Sequence, residues 1–591
     1  MASLSPFPWV NYRSLGLVGH GQFGQVYCAI HRKTGQIVAL KHLNRDRLPT
    51  RRFLRELRFL LSLQHPNIAN CYALEQSETG RQLVLHYCEG GTLRNIMEQE
   101  AQLTLSEILT LIAEILSALE HAHNQRIVHC DIKPENILLS LTPMGWQAKV
   151  SDFGIARLKQ ELTVDHSDGT GSPAYMAPER FYHQYAESSD LYAVGIVLYE
   201  LLLGDRPFSG SHAQLMVAHL NEAVQLPETL PQGVRSLLNR ALEKLMARRF
   251  HHASEMKAAL LAMRQTLTAG ELRECFPKPL VDVSISHFHP QQAIPLAAVC
   301  QDLSLLVPKS AHPSMLLAAL GKSIDGWSLT ATGALVNQHP CQQWQLEFPV
   351  QQILSTVNGA IAIAHDTLYQ LTPGQAPQPI TTFSDTVQAV PGYRRWIVVQ
   401  SMAEPNYFGL VDSLGTVPTI PRLFTTETPQ GESKGLLLDD RHFLVADVID
   451  QQTNLHVMTR WGKPLGVLNL QTPLHQLAPS QKPYQFLAQG GSQEKDLLVI
   501  YLKPFRVQRC RLGITVDWLG ELILGFVGIS AAGQMRIVNF QGHLIAQVDH
   551  LPAPTAIAFH PPYHVWLTTH QRNTPRLHCI DVRKLDLEIV F

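Results

Sequence analysis

Hydrophobic positions set two rhythms along the first half of the chain. Ile37-Val-Ala-Leu-Lys41 is a short apolar run closed by a lysine, which predicts a strand. From about Thr50 to Leu63 the spacing becomes helical, with Phe53, Glu56, Leu57 and Leu60 on one face. Thr104-x-x-Glu107 has the form of a capping box, and Leu105, Ile108, Leu109, Ile112, Leu116 and Leu119 carry it on as a long amphipathic helix. Another helical stretch covers Ser254–Leu272, after which Cys275-Phe-Pro-Lys-Pro279 breaks the pattern. From about residue 281 the rhythm is different again: short apolar runs bounded by Gly, Pro, Asp and Asn, an all-β texture. Turn glycines recur there at Gly333, Gly374, Gly415, Gly462, Gly513 and Gly542, with a further turn near Arg583-Lys584. Phe288-His-Pro and Phe559-His-Pro mark equivalent places in an early and a late unit.

At 591 residues the chain exceeds what one core supports, so the change of texture is read as a domain boundary. The 48 basic and 49 acidic side chains leave no net field, which gives nucleic-acid binding no support. Nine single cysteines with no C-x-x-C pair fit a reducing cytosol better than a zinc or disulfide framework. His121, His123, His251 and His252 lack partners at ligand spacing and read as ordinary packing or surface residues. The N-terminal Met-Ala-Ser-Leu-Ser-Pro-Phe-Pro has no basic flank and no apolar core, so no signal peptide is expected. The apolar stretch Leu519–Ala532 is too short for a membrane span. A cytoplasmic location follows as the expectation.

Chemistry concentrates in the first half. Val18-Gly-His-Gly-Gln-Phe-Gly-Gln-Val26 places glycines at 19, 21 and 24, where a strand can fold closely over phosphates, and the Lys41 strand that follows makes this reading specific. Lys41 calls for an anionic partner, and Glu56 on the core-facing side of its helix is the candidate; Arg51, Arg55 and Arg58 form a solvated stripe opposite. His129-Cys-Asp-Ile-Lys-Pro-Glu-Asn136 is followed by Asp152-Phe153-Gly154. In that spacing Asp131 can accept a hydroxyl proton, Lys133 can offset charge on a transferring phosphoryl group, and Asn136 with Asp152 can hold magnesium.

By these residues, 12–265 resemble the eukaryotic-like Ser/Thr protein kinase family, and Asp-Ile-Lys-Pro-Glu-Asn is similar to its Ser/Thr branch. The resemblance implies an α+β bilobal kinase fold that takes ATP and Mg2+ and acts on protein substrates. It further implies that Val18, Val26, Ala39, Leu138 and the hinge His86-Tyr87-Cys88, after a gatekeeper Leu85, enclose adenine. Gly171-Ser-Pro-Ala-Tyr-Met-Ala-Pro-Glu179 becomes the end of the activation segment, with Ser172 at the catalytic Asp and Lys, Glu179 paired with Arg249, and Asp190 bracing the catalytic loop. One position departs. Cys130 stands where the family commonly has an Arg that clamps a phosphate, so switching through Thr163, Ser167 or Thr170 is not expected. Cys130 itself reads as an inert packed thiol, a redox sensor being the other option.

The organisation expected is therefore multidomain: the kinase domain at 12–265, a linker at 266–280, and an all-β domain at 281–591. Units of three or four short strands suggest a β-propeller of about seven blades, with a pair of β-sandwiches as the other reading. The region matches no named repeat family, since the Gly-His and Trp-Asp signature is missing. It carries no chemical constellation, so substrate recruitment, or sensing of a protein or small-molecule ligand, is its default role. A pseudokinase scaffold acting through the propeller is the alternative function. A small-molecule phosphotransferase is disfavoured by the Ala177-Pro178-Glu179 ledge.

Overall fold

The computed structural model describes residues 11–585 except 22–23, 44–61, 78–79, 99–102, 154–156, 159–171, 278–292, 307–313, 331–333, 357–358, 384–385, 391–395, 403–406, 413–421, 426–431, 440, 460–462, 481, 492–494, 561–562 and 572–573. Two compact units emerge, one holding residues 1–282 and the other the bulk of 283–591.

The first unit opens with β1 (Tyr12–Gly21), β2 (Gly24–His31), β3 (Ile37–Leu43), β4 (Cys71–Ser77) and β5 (Gly80–His86), hydrogen-bonded in the order β1-β2-β3-β5-β4. Period-two alternation in β3 sends Val38 and Leu40 into a small core with Tyr12, Ala29 and Val84. Ala39 and Lys41 consequently fall on the opposite face. The helix α1 (Leu93–Glu98) is followed by α2 (Leu105–Asn124), whose N-cap Thr104 accepts from the Glu107 amide while the Glu107 side chain reaches back, completing the capping box read from the sequence. Its apolar face packs on α3 (Glu187–Leu203) and α6 (Ala253–Thr266), with α4 (His212–Asn221) and α5 (Gln232–Ala241) alongside. Nearly every residue of α3 is buried, as expected for a helix at the centre of a bundle. Gly204 ends it at φ +84°, the left-handed conformation that suits a C-cap glycine.

Residues 266–276 differ from the expected linker. Ala269–Arg273 form a further helical turn, α7, and Cys275–Phe276 make a two-residue strand that pairs with Leu103–Thr104. The Leu105 amide donates to the Glu274 carbonyl at 2.8 Å, and Phe276, 2% exposed, joins the core beneath α2. Burying an aromatic ring outweighs the break that Pro277 imposes one residue later.

The second unit is a series of four-stranded antiparallel sheets: strands within 302–345, 350–382, 387–425, 432–470, 474–511 and 518–548, and a seventh sheet in which Ala293–Pro295 pairs beside the strands of 554–581. Strands such as Met315–Leu320, Gly359–Ala364 and Gln485–Gly490 are buried at every position, which explains their unbroken apolar sequence. The first strand of each sheet contacts the first strand of the next, and the strand Asp302–Leu306 also contacts Pro554–His560 of the seventh sheet. Gly520 marks how close this approach is, since a Cβ there would lie 2.4 Å from the Phe559 ring. Gly374 and Gly542 turn the chain between third and fourth strands, whereas Gly513 lies between two sheets; the matching turn there is Lys503-Pro504. Gly333, Gly415, Gly462 and Phe288 lie outside the described residues. No helix among the described residues is long and apolar enough to cross a membrane.

Candidate functional site

The five-stranded sheet brings the glycine hairpin to the lysine. Gly21 pairs with Gly24 and Gly19 with Val26 across β1 and β2, and Val26 in turn pairs with Lys41 on β3. Ala39 faces Leu85 across β3 and β5. At the end of β5 the His86 amide donates to the Asn70 carbonyl, and burial pushes its imidazole pKa down to about 4. The segment Cys88–Gly91 is sewn to the strand Ile137–Thr142: the Gly90 amide donates to the Leu139 carbonyl, the Leu139 amide to the Gly91 carbonyl, and Thr92 bridges Leu138. Leu138 thus lies beside the hinge. Buried Cys88 has its thiol pushed up to about 12 by desolvation, so it is an unreactive neighbour.

The catalytic-loop residues converge on Asp131. Lys133 Nζ stands 2.8 Å from Asp131 Oδ2, and Asn136 Nδ2 donates to the same oxygen at 3.0 Å and to the Asp131 carbonyl at 2.8 Å. The Ser172 amide donates to Asp131 Oδ1 at 3.0 Å, while Lys133 Nζ donates to Ser172 Oγ at 2.8 Å. Lys41 Nζ reaches Asp152 Oδ1 at 3.4 Å, a distance that joins the sheet to the Asp152 loop. The Lys41 ammonium is the main reason the Asp152 carboxyl lies below the usual carboxylate range, against its burial.

Beneath the loop, Asp190 accepts from the amides of His129 at 2.8 Å and Cys130 at 2.9 Å, and His123 Nε2 lies 2.9 Å away. Burial works against the Asp190 charge, but the histidine and these amides hold its pKa below the ordinary value. These bonds pin Cys130 at φ +70°, a strained conformation for a non-glycine residue, and Asp152 is similarly left-handed at φ +61°. His123, read as a packing or surface residue, is buried as part of this brace. Glu179 and Arg249 form two 2.8 Å hydrogen bonds, and Ser189 adds a third to the carboxylate. Cys130, Asp131, Ser172, Tyr175, Met176 and Arg180 line a small recess that is partly open to solvent.

The expected partner of Lys41, Glu56, lies outside the described residues, as do Gly154, Thr163, Ser167 and Thr170. Sequence reasoning missed two carboxylates that hold backbone. Glu89 accepts from the Leu141 amide and Glu114 from the Ala148 amide, both at 2.7 Å, so the hairpin beneath the hinge is gripped on both strands. No spacing rule marks a side chain that bonds to distant backbone.

Residues 12–260 match the protein kinase domain family. The chain is similar to the serine/threonine-protein kinase PrkC of Bacillus subtilis (strain 168), 37% identical over 259 residues that are 42% of this chain and 40% of that protein. It is also similar to the probable serine/threonine-protein kinase PknB of Lactococcus lactis subsp. lactis (strain IL1403), 32% identical over 280 residues, 45% of this chain and 44% of that protein. The serine/threonine-protein kinase D2 of Rattus norvegicus is 37% identical over 244 residues, 40% of this chain and 28% of that protein. The chain thus spans less than half the length of these relatives. Residues 12–260 thus belong to the protein kinase domain family, and these matches cover less than half of the chain.

Proposed function

We propose that the chain is an ATP-dependent protein kinase that transfers the γ-phosphoryl group of Mg-ATP to Ser or Thr hydroxyls of proteins. The observation that carries this reading is the convergence of Lys133, Asn136 and Ser172 on Asp131. With its carboxylate so oriented, Asp131 takes the proton of the acceptor hydroxyl, and Lys133 neutralises charge on the phosphoryl group as it moves. The amide oxygen of Asn136 and the carboxylate of Asp152 are hard oxygen donors of the kind magnesium prefers, and Asn136 already spends its amide nitrogen on Asp131. Bound there, the ion would screen the phosphate charges. Lys41, steadied by Glu56, orients the phosphates beneath Gly19, Gly21 and Gly24. Val18, Val26, Ala39, Leu85, His86, Tyr87, Cys88 and Leu138 surround adenine. Ser172, Glu179, Asp190 and Arg249 keep the loop and the peptide ledge in place.

We read the second unit as a seven-bladed β-propeller whose last blade is closed by Ala293–Pro295, a reading supported by the circuit of contacts among first strands. It recruits substrates or senses a ligand. Nine free thiols, five of them buried, favour a cytoplasmic setting.

Asp131→Asn and Lys41→Met in the full chain should each lower labelled-phosphate transfer by on the order of 10²–10³ while circular dichroism is unchanged. Near wild-type transfer by either folded variant refutes the assigned roles.

A further inference from the structure

Beside the catalytic loop lies a charge network that the proposed reaction does not use. Arg94, on α1, donates Nε to Glu135 at 2.9 Å, Nη1 to Glu200 Oε1 at 3.0 Å and Nη2 to Glu200 Oε2 at 3.4 Å. Its Nη2 also meets the Tyr175 hydroxyl, which donates to Glu200 at 2.6 Å. The partners come from separate places: the turn Pro134–Asn136 of the catalytic loop, the turn Pro173–Tyr175 next to Ser172, and the central helix α3. Glu200 is 4% exposed, whereas the Glu135 side chain is 45% exposed. One guanidinium therefore sits between a buried and an open carboxylate, a few residues from the groups that would hold substrate. Burial works against the charge of Arg94, yet its bonds to Glu200 and Glu135 leave it more firmly protonated than an ordinary arginine.

We propose that Arg94 is a specificity-determining residue, an internal arginine that fills the Glu135 and Glu200 carboxylates and so denies them to basic side chains of a peptide substrate. This rests on the kinase reading of the site. A planar guanidinium matches a carboxylate pair better than any other side chain, so the same two acids would bind a substrate arginine if they were vacant. To enter, that arginine would have to displace Arg94 and leave a largely buried cation unpaired, a costly exchange. Basic residues near the acceptor consequently gain nothing from these acids in the native protein.

The test uses the full chain with serine peptides in which a single Arg or a single Glu is walked through the positions around the acceptor. Wild type should show no more than about threefold preference for Arg at any position. Arg94→Met should improve kcat/KM for Arg peptides at a few positions by about tenfold, through KM, while kcat on an uncharged peptide is unchanged. The double variant R94M/E200Q removes the buried carboxylate together with its partner and guards against misfolding; it should keep much of the gain through Glu135. Adding E135Q should abolish it. An Arg preference already present in wild type, an equal fall of kcat on every peptide, a gain that survives in the triple variant, or unfolding of both R94M forms overturns the proposal. Wild type that phosphorylates neither peptides nor itself overturns the kinase reading as well, whereas active wild type with no shift in R94M defeats only the role of Arg94.

Discussion

The two halves of the molecule hold their shapes by different means. In the first, loops distant in sequence are fixed by buried charges and directional hydrogen bonds: Glu179 with Arg249, and Asp190 with two amides and His123. In the second, apolar clusters fill the spaces between consecutive sheets, as where Leu306, Ile324, Ile353 and Ala362 meet, and half-buried Asp302 accepts from the adjacent Leu303 amide and from the Ile353 amide of the neighbouring sheet. Directional bonds set side-chain positions to a fraction of an ångström, which a reacting site needs. Repeated apolar packing tolerates variation and leaves the loops free to change, which would suit the recruiting or sensing role proposed for the second unit.

Breaking a buried ion pair should therefore hurt the first unit most. Arg249 is fully enclosed, donates both Nη atoms to Glu179 and makes further bonds to the Glu243 and Lys244 carbonyls. Arg249→Met should cost about 3–5 kcal/mol in urea unfolding of the isolated first unit, because it strands the Glu179 carboxylate. Part of that loss should return in R249M/E179Q. A cost under about 1 kcal/mol would show that packing and not charge holds this unit together.

In the second unit the sensitive place should be apolar. Ile294 sits on the three-residue strand that pairs with Thr574–Asp581 and is buried among Leu316, Trp566 and Leu577. Ile294→Ala should destabilise that unit by about 2 kcal/mol, at the low end for such truncations because the strand lies at a sheet edge. Faster hydrogen exchange should appear in 554–581 and leave 105–124 untouched. Loosening confined to 293–306 would contradict a closure shared by the two ends of the second unit.

What the sequence disclosed follows the same division. The capping box at Thr104 and Glu107 and the loop around Asp131 are local patterns with a mechanism behind each residue, so position and partners could be read directly. The repeat was visible, but Gly513 was misplaced in it because a left-handed glycine serves equally well within a sheet and between two. The strand Ala293–Pro295 and the burial of Phe276 had no local signal, since both depend on partners far along the chain. The grip of Glu89 on Leu141 was invisible for that reason too.

Glu89 offers a finer probe of how charge works in the first unit. Burial pushes its carboxyl up to about 7 although it accepts from the Leu141 amide. A raised folded-state pKa means that the folded protein binds this proton more tightly than the unfolded chain. The contribution is full below about pH 4.5 and is lost as pH rises through about 7. Glu89→Gln keeps an oxygen for the amide and removes the titration. Relative to wild type it should gain on the order of 1–3 kcal/mol at pH 8 and close to nothing at pH 4.5, read as the difference in urea midpoints. A gain that is independent of pH would assign the effect to packing around the hinge.

The smallest effect expected is that of phosphate on the activation segment. A clamp for such a phosphate needs a cation beside the catalytic loop, and at position 130 this chain has a thiol that turns to the Val128 carbonyl at 3.5 Å. The loop is held from below instead, by Asp190 on the amides of His129 and Cys130, and that brace does not depend on modification. Phosphatase treatment should accordingly change the rate by less than about tenfold, roughly 1.4 kcal/mol. Arg180 lines the same recess as Cys130, with its guanidinium 4.2 Å over the Tyr185 ring, and is the cation whose takeover of the clamp can be tested. A larger fall after dephosphorylation in wild type, absent in Arg180→Met, would transfer the clamp to Arg180 and make the first unit switchable despite Cys130.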